Sequence, residues 1–321
     1  MISMAKKVLL YEYVTGGGLI NEALKSNLYK EAKLMITTLI KDSENNENIN
    51  SSFFCDNRLS ISSVSNSIKI NKKNYKKIYN KKILDKFDYI IPILPESNNN
   101  LYNYVKFLND NNIKNLISSP RAIMNTSDKW LFYKKCLNSQ IKTIPTYLDK
   151  CDLRSNIVIK DRYGEGCSSI KLYKTKRSII ENIENQNKIM QPYIEGIDLS
   201  LSVFFDREKF HILSVNKQNL SINKDNLIKL KSILVNITVS FEEKIYALVN
   251  KIHKSFFGLY GYIGIDIIVD DKNIFVVEIN PRLTTSFVGI KYTKGINLLD
   301  LISKKNPYKN IISGKKYLIN L

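Results

Sequence analysis

The residues best suited to chemistry lie in 261–286, which reads GYIGIDIIVDDKNIFVVEINPRLTTS. Asp266 interrupts one apolar run, and Glu278 and Asn280 close a second beyond the polar turn at 270–273. A carboxylate inside an apolar strand is costly unless something pairs with it. Two carboxylates and an amide oxygen are hard ligands, the kind Mg²⁺ takes alongside substrate phosphates. Arg282, just past Pro281, adds a planar guanidinium that suits phosphate. The plain alternative is a hairpin whose acids alternate onto a solvent-facing side.

The elements that must position these residues follow from periodicity. Apolar runs bounded by turn residues predict an antiparallel hairpin over 262–279. Upstream, KVLLYEYV at 7–14 predicts a buried strand that ends at Thr15-Gly16-Gly17-Gly18. Leu24, Leu28, Ala32, Met35 and Leu39 then recur at helical spacing. Gly16, Gly17 and Gly18 could let a ligand approach the backbone or could simply make a tight turn. Further strands are expected at 52–55, 88–94 and 116–118, with a helix carrying Leu101, Val105 and Leu108. Pro95-Glu96-Ser97 could line a site at the carboxyl edge of the resulting parallel sheet. Ser127-Asp128-Lys129 opens a helix to about Asn138, with Ser127 as its cap. Strands follow at 156–160, 170–173 and 188–194, with a loop at 161–169 and a helix over about 176–187. DLSLSVFF at 198–205 alternates with period two and pairs with 211–215, and 241–257 is helical.

The 321 residues are 44% hydrophobic and 25% charged, ordinary for a globular chain of two or three lobes. No apolar stretch is long enough for a membrane span, and the N-terminus lacks the pattern of a signal peptide. Cys55, Cys136, Cys151 and Cys167 form no C-x-x-C pair, and a reduced cytoplasmic setting is expected. The net charge of +19 accompanies abundant lysine, asparagine, isoleucine and tyrosine, a composition-wide bias. It therefore argues for attraction of anionic small molecules rather than for specific nucleic-acid binding.

Five pieces stand in a telling order. They are SDK at 127–129, VIK with G-x-G at 158–166, MQPYIEGIDLS at 190–200, GIDIIV at 264–269 and VEINPR at 277–282. Together they resemble the ATP-grasp superfamily from about residue 118 onward. The resemblance implies an α/β and α+β architecture, a Rossmann-like domain over 1–117 followed by ATP-grasp lobes at 118–194 and 195–321. It implies that Lys129 and Lys160 hold the ATP phosphates and that the loop through Gly164 and Gly166 closes over them. Gln191, Tyr193 and Ile194 would then lie beside adenine, and Asp198 would bind the ribose hydroxyls. Asp266, Glu278 and Asn280 would hold Mg²⁺ or Mn²⁺, and Arg282 would steady the transferring phosphoryl group. Cys167-Ser168-Ser169 stands where many relatives carry more glycine, Gln191 often appears as glutamate, and Asp198 is a methylene shorter than the usual glutamate.

Two stretches narrow the resemblance. YEYVTGGG at 11–18 and EINPRLTTS at 278–286 are similar to the tyramine–glutamate ligases of methanofuran biosynthesis and their bacterial relatives, linked to methylofuran-type cofactors. What this implies is a carboxylate–amine ligase with an acylphosphate intermediate, small-molecule substrates, and a monomer or homodimer. Gly16–Gly18 would face the acyl substrate. Thr284, Thr285 and Ser286 either donate to the substrate carboxylate or cap the next helix. Lys217 is a further phosphate or substrate candidate, against a solvated lysine, while His211 and His253 read as structural.

Overall fold

The computed structural model describes residues 5–63, 65–148, 156–164, 169–174, 187–301 and 314–321. Its first unit is a parallel sheet of β1 (Lys6–Glu12), β2 (Ile49–Asp56), β3 (Asn66–Ile70) and β4 (Tyr89–Ile93), in the order β3-β2-β1-β4. β1 is central because Val8 to Glu12 are buried on both faces, as a continuous apolar strand in a covered sheet should be. α1 (Ser26–Glu44) covers one face through Met35, Ile36, Leu39 and Ile40. α2 (Lys81–Leu84) and α3 (Asn100–Asp110) lie on the other, where α3 buries Leu101, Tyr104, Val105 and Leu108.

Three local expectations change. The chain turns through 13–22 before α1 begins, so Leu24 precedes the helix and Leu28 lies on its exposed side. The strand expected at 116–118 reduces to a single bridge between Ile90 and Asn115. Ser119 then caps Ala122 N at 3.3 Å and Pro120 starts α4 (Pro120–Ser127), leaving no room for a strand. β3 forms in a stretch without strand patterning, because an edge strand with exposed alternate residues carries little apolar signal.

α5 (Lys129–Asn138) leads into a three-stranded antiparallel sheet, β6-β5-β7, made of β5 (Ile157–Asp161), β6 (Lys171–Tyr173) and β7 (Lys188–Pro192). Its own core is small: Ile157, Ile159 and Met190. The helix expected over about 176–187 lies outside the described residues but for Asn187. The last unit is a six-stranded sheet. It holds β8 (Ile197–Phe205), β9 (Phe210–Ile222), β10 (Ile228–Val235), β11 (Gly261–Val269), β12 (Ile274–Asn280) and β13 (Tyr317–Asn320), in the order β12-β11-β8-β9-β10-β13. β10 and β13 are additions to the expected set. In β10 the bulge between Leu230 and Ser232 breaks the two-residue period that would have announced it.

One face of this sheet buries Leu199, Leu201, Val203 and Phe205 against Ile245, Val249 and Ile252 of α6 (Glu242–Ser255). Ala122, Phe132 and Cys136 join the same cluster, so α4 and α5 pack with the large sheet rather than with the small one. Along the other edge, Phe287, Val288 and Ile290 of α7 (Phe287–Lys294) share one core with α1, β1 and β2. Each such fully buried side chain contributes about 1.5–3 kcal/mol, so the N-terminal unit is bonded firmly to the large sheet. Lys291 to Asp42 at 2.7 Å and Asn46 to Asp300 at 2.7 Å add polar ties across that seam. Cys55 and Cys136 are buried free thiols, and burial pushes Cys136 up to about 12; Cys151 and Cys167 lie outside the described residues. Among the described residues no helix is long and apolar enough to cross a membrane.

Candidate active site

The hairpin forms as expected. Asp266 pairs with Glu278 and Gly264 with Asn280 across β11 and β12, and Asp270 accepts from Lys272 N at 2.8 Å in the turn. On its other side β11 sets Asp266 opposite Ser200 of β8. Alternation sends Ile265 and Ile267 into the α6 core, so the acids share the opposite, polar face with Ser200 and Ser202. That face is not open solvent: the Glu278 side chain is only 19% exposed. Asp266 accepts from Gln218 Nε2 at 3.0 Å and from Asn280 Nδ2 at 3.2 Å. Burial, then the adjacent Glu278 charge, pushes the Asp266 carboxyl well above its usual range. Burial acts to raise Glu278 too, but the charges of Lys129, Lys160 and Arg282 hold it below the ordinary value. Two neighbouring carboxylates plus an amide on one shielded face form a donor set that fits a hard divalent cation.

Lys129 reaches this pair from the first turn of α5, with Nζ 3.6 Å from Glu278 Oε2 and bonded to the Gly164 carbonyl oxygen. The helix cap is Asp128 rather than Ser127: Asp128 accepts from Trp130 N at 2.9 Å and Leu131 N at 3.3 Å. Ser127 ends α4 instead, and its hydroxyl is buried without a partner. Asp128 outcompetes serine here because a charge-assisted clamp holds it. Arg162 Nε and Nη2 donate to its two oxygens at 2.8 and 2.6 Å, and Tyr163 OH donates at 3.2 Å. Lys129 N donates to Arg162 O at 3.1 Å, so the clamp also fixes the backbone that carries the ammonium. Lys160, on β5, is 4% exposed and lines the same narrow cleft as Lys129, Asp161, Gly164 and Glu278. Gly166 and the loop residues 165–168 lie outside the described residues.

Gln191 is buried on β7 and donates from Nε2 to Thr146 Oγ1 at 2.9 Å. Thr146 in turn donates to Ile144 O at 3.0 Å, which fixes the amide and turns its oxygen away from Thr146. Tyr193 N donates to Asn156 O at 2.8 Å, so of its backbone only the carbonyl could serve a base. Ile194 is half-buried beside it. Asp198, the second residue of β8, stands opposite Ile268, and burial raises its carboxyl.

Arg282 is held by Glu96, one of the three residues expected to line a site at the carboxyl edge of the parallel sheet. Its Nε and Nη2 donate to Glu96 Oε1 and Oε2 at 3.0 and 2.8 Å, and Nη1 donates to Leu283 O at 3.2 Å. The three hydroxyls beyond it have protein partners. Tyr262 OH donates to Ser202 at 2.7 Å and lies 3.1 and 3.0 Å from the Thr284 and Ser286 hydroxyls, while Thr285 donates to Glu31 of α1. Ser286 makes no side-chain cap to α7, so capping does not account for it.

The glycine turn packs on itself. A Cβ on Gly16 would sit 2.5 Å from Glu12 O, and one on Gly17, at φ +94°, would sit 2.5 Å from Ile70 Cγ2. Tight-turn packing therefore explains these glycines without a ligand. Gly17→Ala should destabilise the fold by about 1–3 kcal/mol, from overpacking and left-handed strain; an unchanged urea midpoint would contradict this. Lys217 is exposed, and its strand neighbours fill the polar face: Gln218 reaches Asp266, and Asn216 reaches Ser200 at 3.3 Å. Alternation thus turns Lys217 away from the acids, a correction to its candidacy. His253 stacks on Phe205 at 5.2 Å and burial lowers His211, both apart from the acid pair.

Comparison with known proteins agrees with this geometry. A family model described as ATP-grasp domain matches residues 126–286. The chain is similar to tyramine–L-glutamate ligase of Methanocaldococcus jannaschii, at 29% identity over 99% of this chain and 96% of that protein. It is likewise similar to tyramine–L-glutamate ligase of Methanocaldococcus fervens, at 30% identity over 98% of this chain and 99% of that one. Among solved structures, an Archaeoglobus fulgidus protein assigned to the ATP-grasp superfamily superposes with a TM-score of 0.77. That match is 26% identical and covers 98% of this chain and 92% of the other.

Proposed function

Because the chain belongs to the ATP-grasp family, we propose that it is an ATP-dependent carboxylate–amine ligase joining L-glutamate to tyramine or a tyrosine-like amine. The observation that supports this reading is the Lys129 ammonium beside Glu278, in a cleft that Lys160 also lines. Cations around a carboxylate pair match the needs of ATP with a divalent metal, and full-length similarity to two tyramine–L-glutamate ligases supports the choice of substrates.

On this reading the γ-phosphoryl group of ATP passes to a glutamate carboxylate, giving an acylphosphate and ADP. The amine attacks the activated carbonyl, an amide forms and phosphate leaves. No protein nucleophile takes part; the chain's work is in-line positioning and charge neutralisation. Lys129 and Lys160 act as point charges on the phosphates, and Arg282 presents a fixed guanidinium to the transferring group. Asp266, Glu278 and Asn280 would hold Mg²⁺ or Mn²⁺, which when bound neutralises phosphate charge. Gln191, the Tyr193 carbonyl and Ile194 would border adenine, and Asp198 the ribose. Thr284, Thr285 and Ser286 would meet the acyl substrate by exchanging their present partners, with Gly16–Gly18 nearby. The product belongs, on this reading, to methanofuran- or methylofuran-type cofactor synthesis.

The test is ADP release with Mg²⁺, L-glutamate and tyramine, with the amide identified by mass spectrometry. Turnover with alanine or cysteine in place of glutamate, and none with glutamate, would favour a different amino-acid ligase. Asp198→Ala should chiefly raise KM for ATP, because ribose contacts persist unchanged into the transition state; an unchanged KM would remove that role.

A further inference from the structure

We propose that Glu96 is a positioning residue for phosphoryl transfer, one that fixes Arg282 and makes the site depend on the docked N-terminal unit; this rests on the ligase reading above. Glu96 follows β4 at the carboxyl edge of the parallel sheet. In the order β3-β2-β1-β4, the chain reverses its direction of sheet growth between β1 and β4. Such a switch point is where open α/β sheets present residues to ligands. Here the residue presented is a carboxylate 5% exposed, and it meets a guanidinium 186 positions away in the chain.

The geometry is that of a jig. Bonds of 3.0 and 2.8 Å to the two Glu96 oxygens, with a third of 3.2 Å to Leu283 O, fix both the plane and the rotation of the Arg282 guanidinium. Arg282 follows Asn280, the last residue of β12, by two positions, which ties it to the strand that carries Glu278. A buried ion pair adds little net stability over an apolar pair of the same shape, because both ions lose their hydration. Its value lies in orientation.

Charge and orientation predict opposite signs, which makes the proposal decidable. Were neutralisation all that Glu96 did, removing its charge would leave Arg282 more attractive to a phosphoryl group and turnover would rise. If orientation governs, turnover falls. The experiment measures ADP release at saturating substrates for Glu96→Gln, Glu96→Asp, Arg282→Ala and the Glu96→Gln/Arg282→Ala double variant, with Tm for each.

Glu96→Gln should lower kcat roughly 10- to 100-fold, the range for a misplaced electrostatic stabiliser. KM for ATP should stay within about threefold, since the loss falls on the transition state. Glu96→Asp keeps the charge and should recover part of the rate. In the Arg282→Ala background Glu96→Gln should add almost nothing, because residues acting through one another are not additive. An unchanged or raised kcat in Glu96→Gln, or losses that multiply in the double variant, would overturn the proposal. Should Glu96→Gln not fold, Glu96→Asp carries the test alone, and an unchanged kcat there overturns it. Full turnover in Arg282→Ala would remove Arg282 from the site and Glu96 with it. A lowered Arg282→Ala rate beside a normal Glu96→Gln rate would spare the ligase reading and sink only this inference.

Discussion

Asp266→Asn and Glu278→Gln should each cut ADP formation by at least roughly 100-fold, the scale of losing one preorganised electrostatic stabiliser. Both replacements are close in shape, and the amide at 266 can still engage Gln218 and Asn280, which now bond the carboxylate. The fold should therefore survive, as circular dichroism melting would show. The loss should appear also as weakened Mg²⁺-dependent nucleotide binding, a readout independent of turnover. Near-normal turnover in either variant would refute the metal assignment. Among the described residues no group of three or more His, Cys, Asp or Glu side chains offers an alternative centre.

Lys129→Met should be almost as damaging, lowering kcat/KM for ATP roughly 100-fold by the same electrostatic argument. Methionine suits a helix and the side chain is only 8% exposed, so α5 should stand. What disappears is the ammonium that touches both Glu278 and the Gly164 carbonyl. It joins the acid pair on the large sheet to Gly164 after β5, and its removal breaks that link while the Asp128–Arg162 clamp stays. Tighter ATP binding or unchanged turnover in Lys129→Met would show that Lys160 alone serves the phosphates. Asp128, Arg162 and Tyr163 form the scaffold of that ammonium, although none of them was legible as a site residue. Their sequence signal was slight: Asp128 is the middle residue of SDK, and Arg162 and Tyr163 fall between VIK and G-x-G, where a charged and an aromatic residue are easily taken for surface.

The kind of chemistry was legible in the residue types and motifs of the sequence. The hairpin was legible from two apolar runs and a turn, although its register, Asp266 against Glu278, depends on a bulge between Asp266 and Ile267 that no local pattern announces. The parallel opening and the period-two strand β8 were legible for the same reason, since side-chain alternation is a short-range property. Where periodicity is weak the reading failed. β3 is an edge with exposed lysine, β10 is bulged, and the bridge at Asn115 is a single residue pair. Lys217 was a fair candidate by residue type, and one step of strand register turned it to the wrong side.

The order of the five motifs, with their acids, lysines and arginine, was by itself enough to carry the resemblance to the ATP-grasp superfamily, and that resemblance implied the class of reaction. Those residue types at those places have few other uses, and their strands and turns are set by neighbours in the chain. Only the tertiary structure decided which partner holds each charge. Arg282 is paired with Glu96, Arg162 with Asp128, and Thr285 with Glu31, contacts between segments far apart in sequence. It also decided that the three glycines at 16–18 are packed against Tyr11, Ile70 and Tyr13. The physical reason is one of range. Backbone pattern is set within a few residues, whereas a buried charge finds its partner only when the whole chain has closed around it.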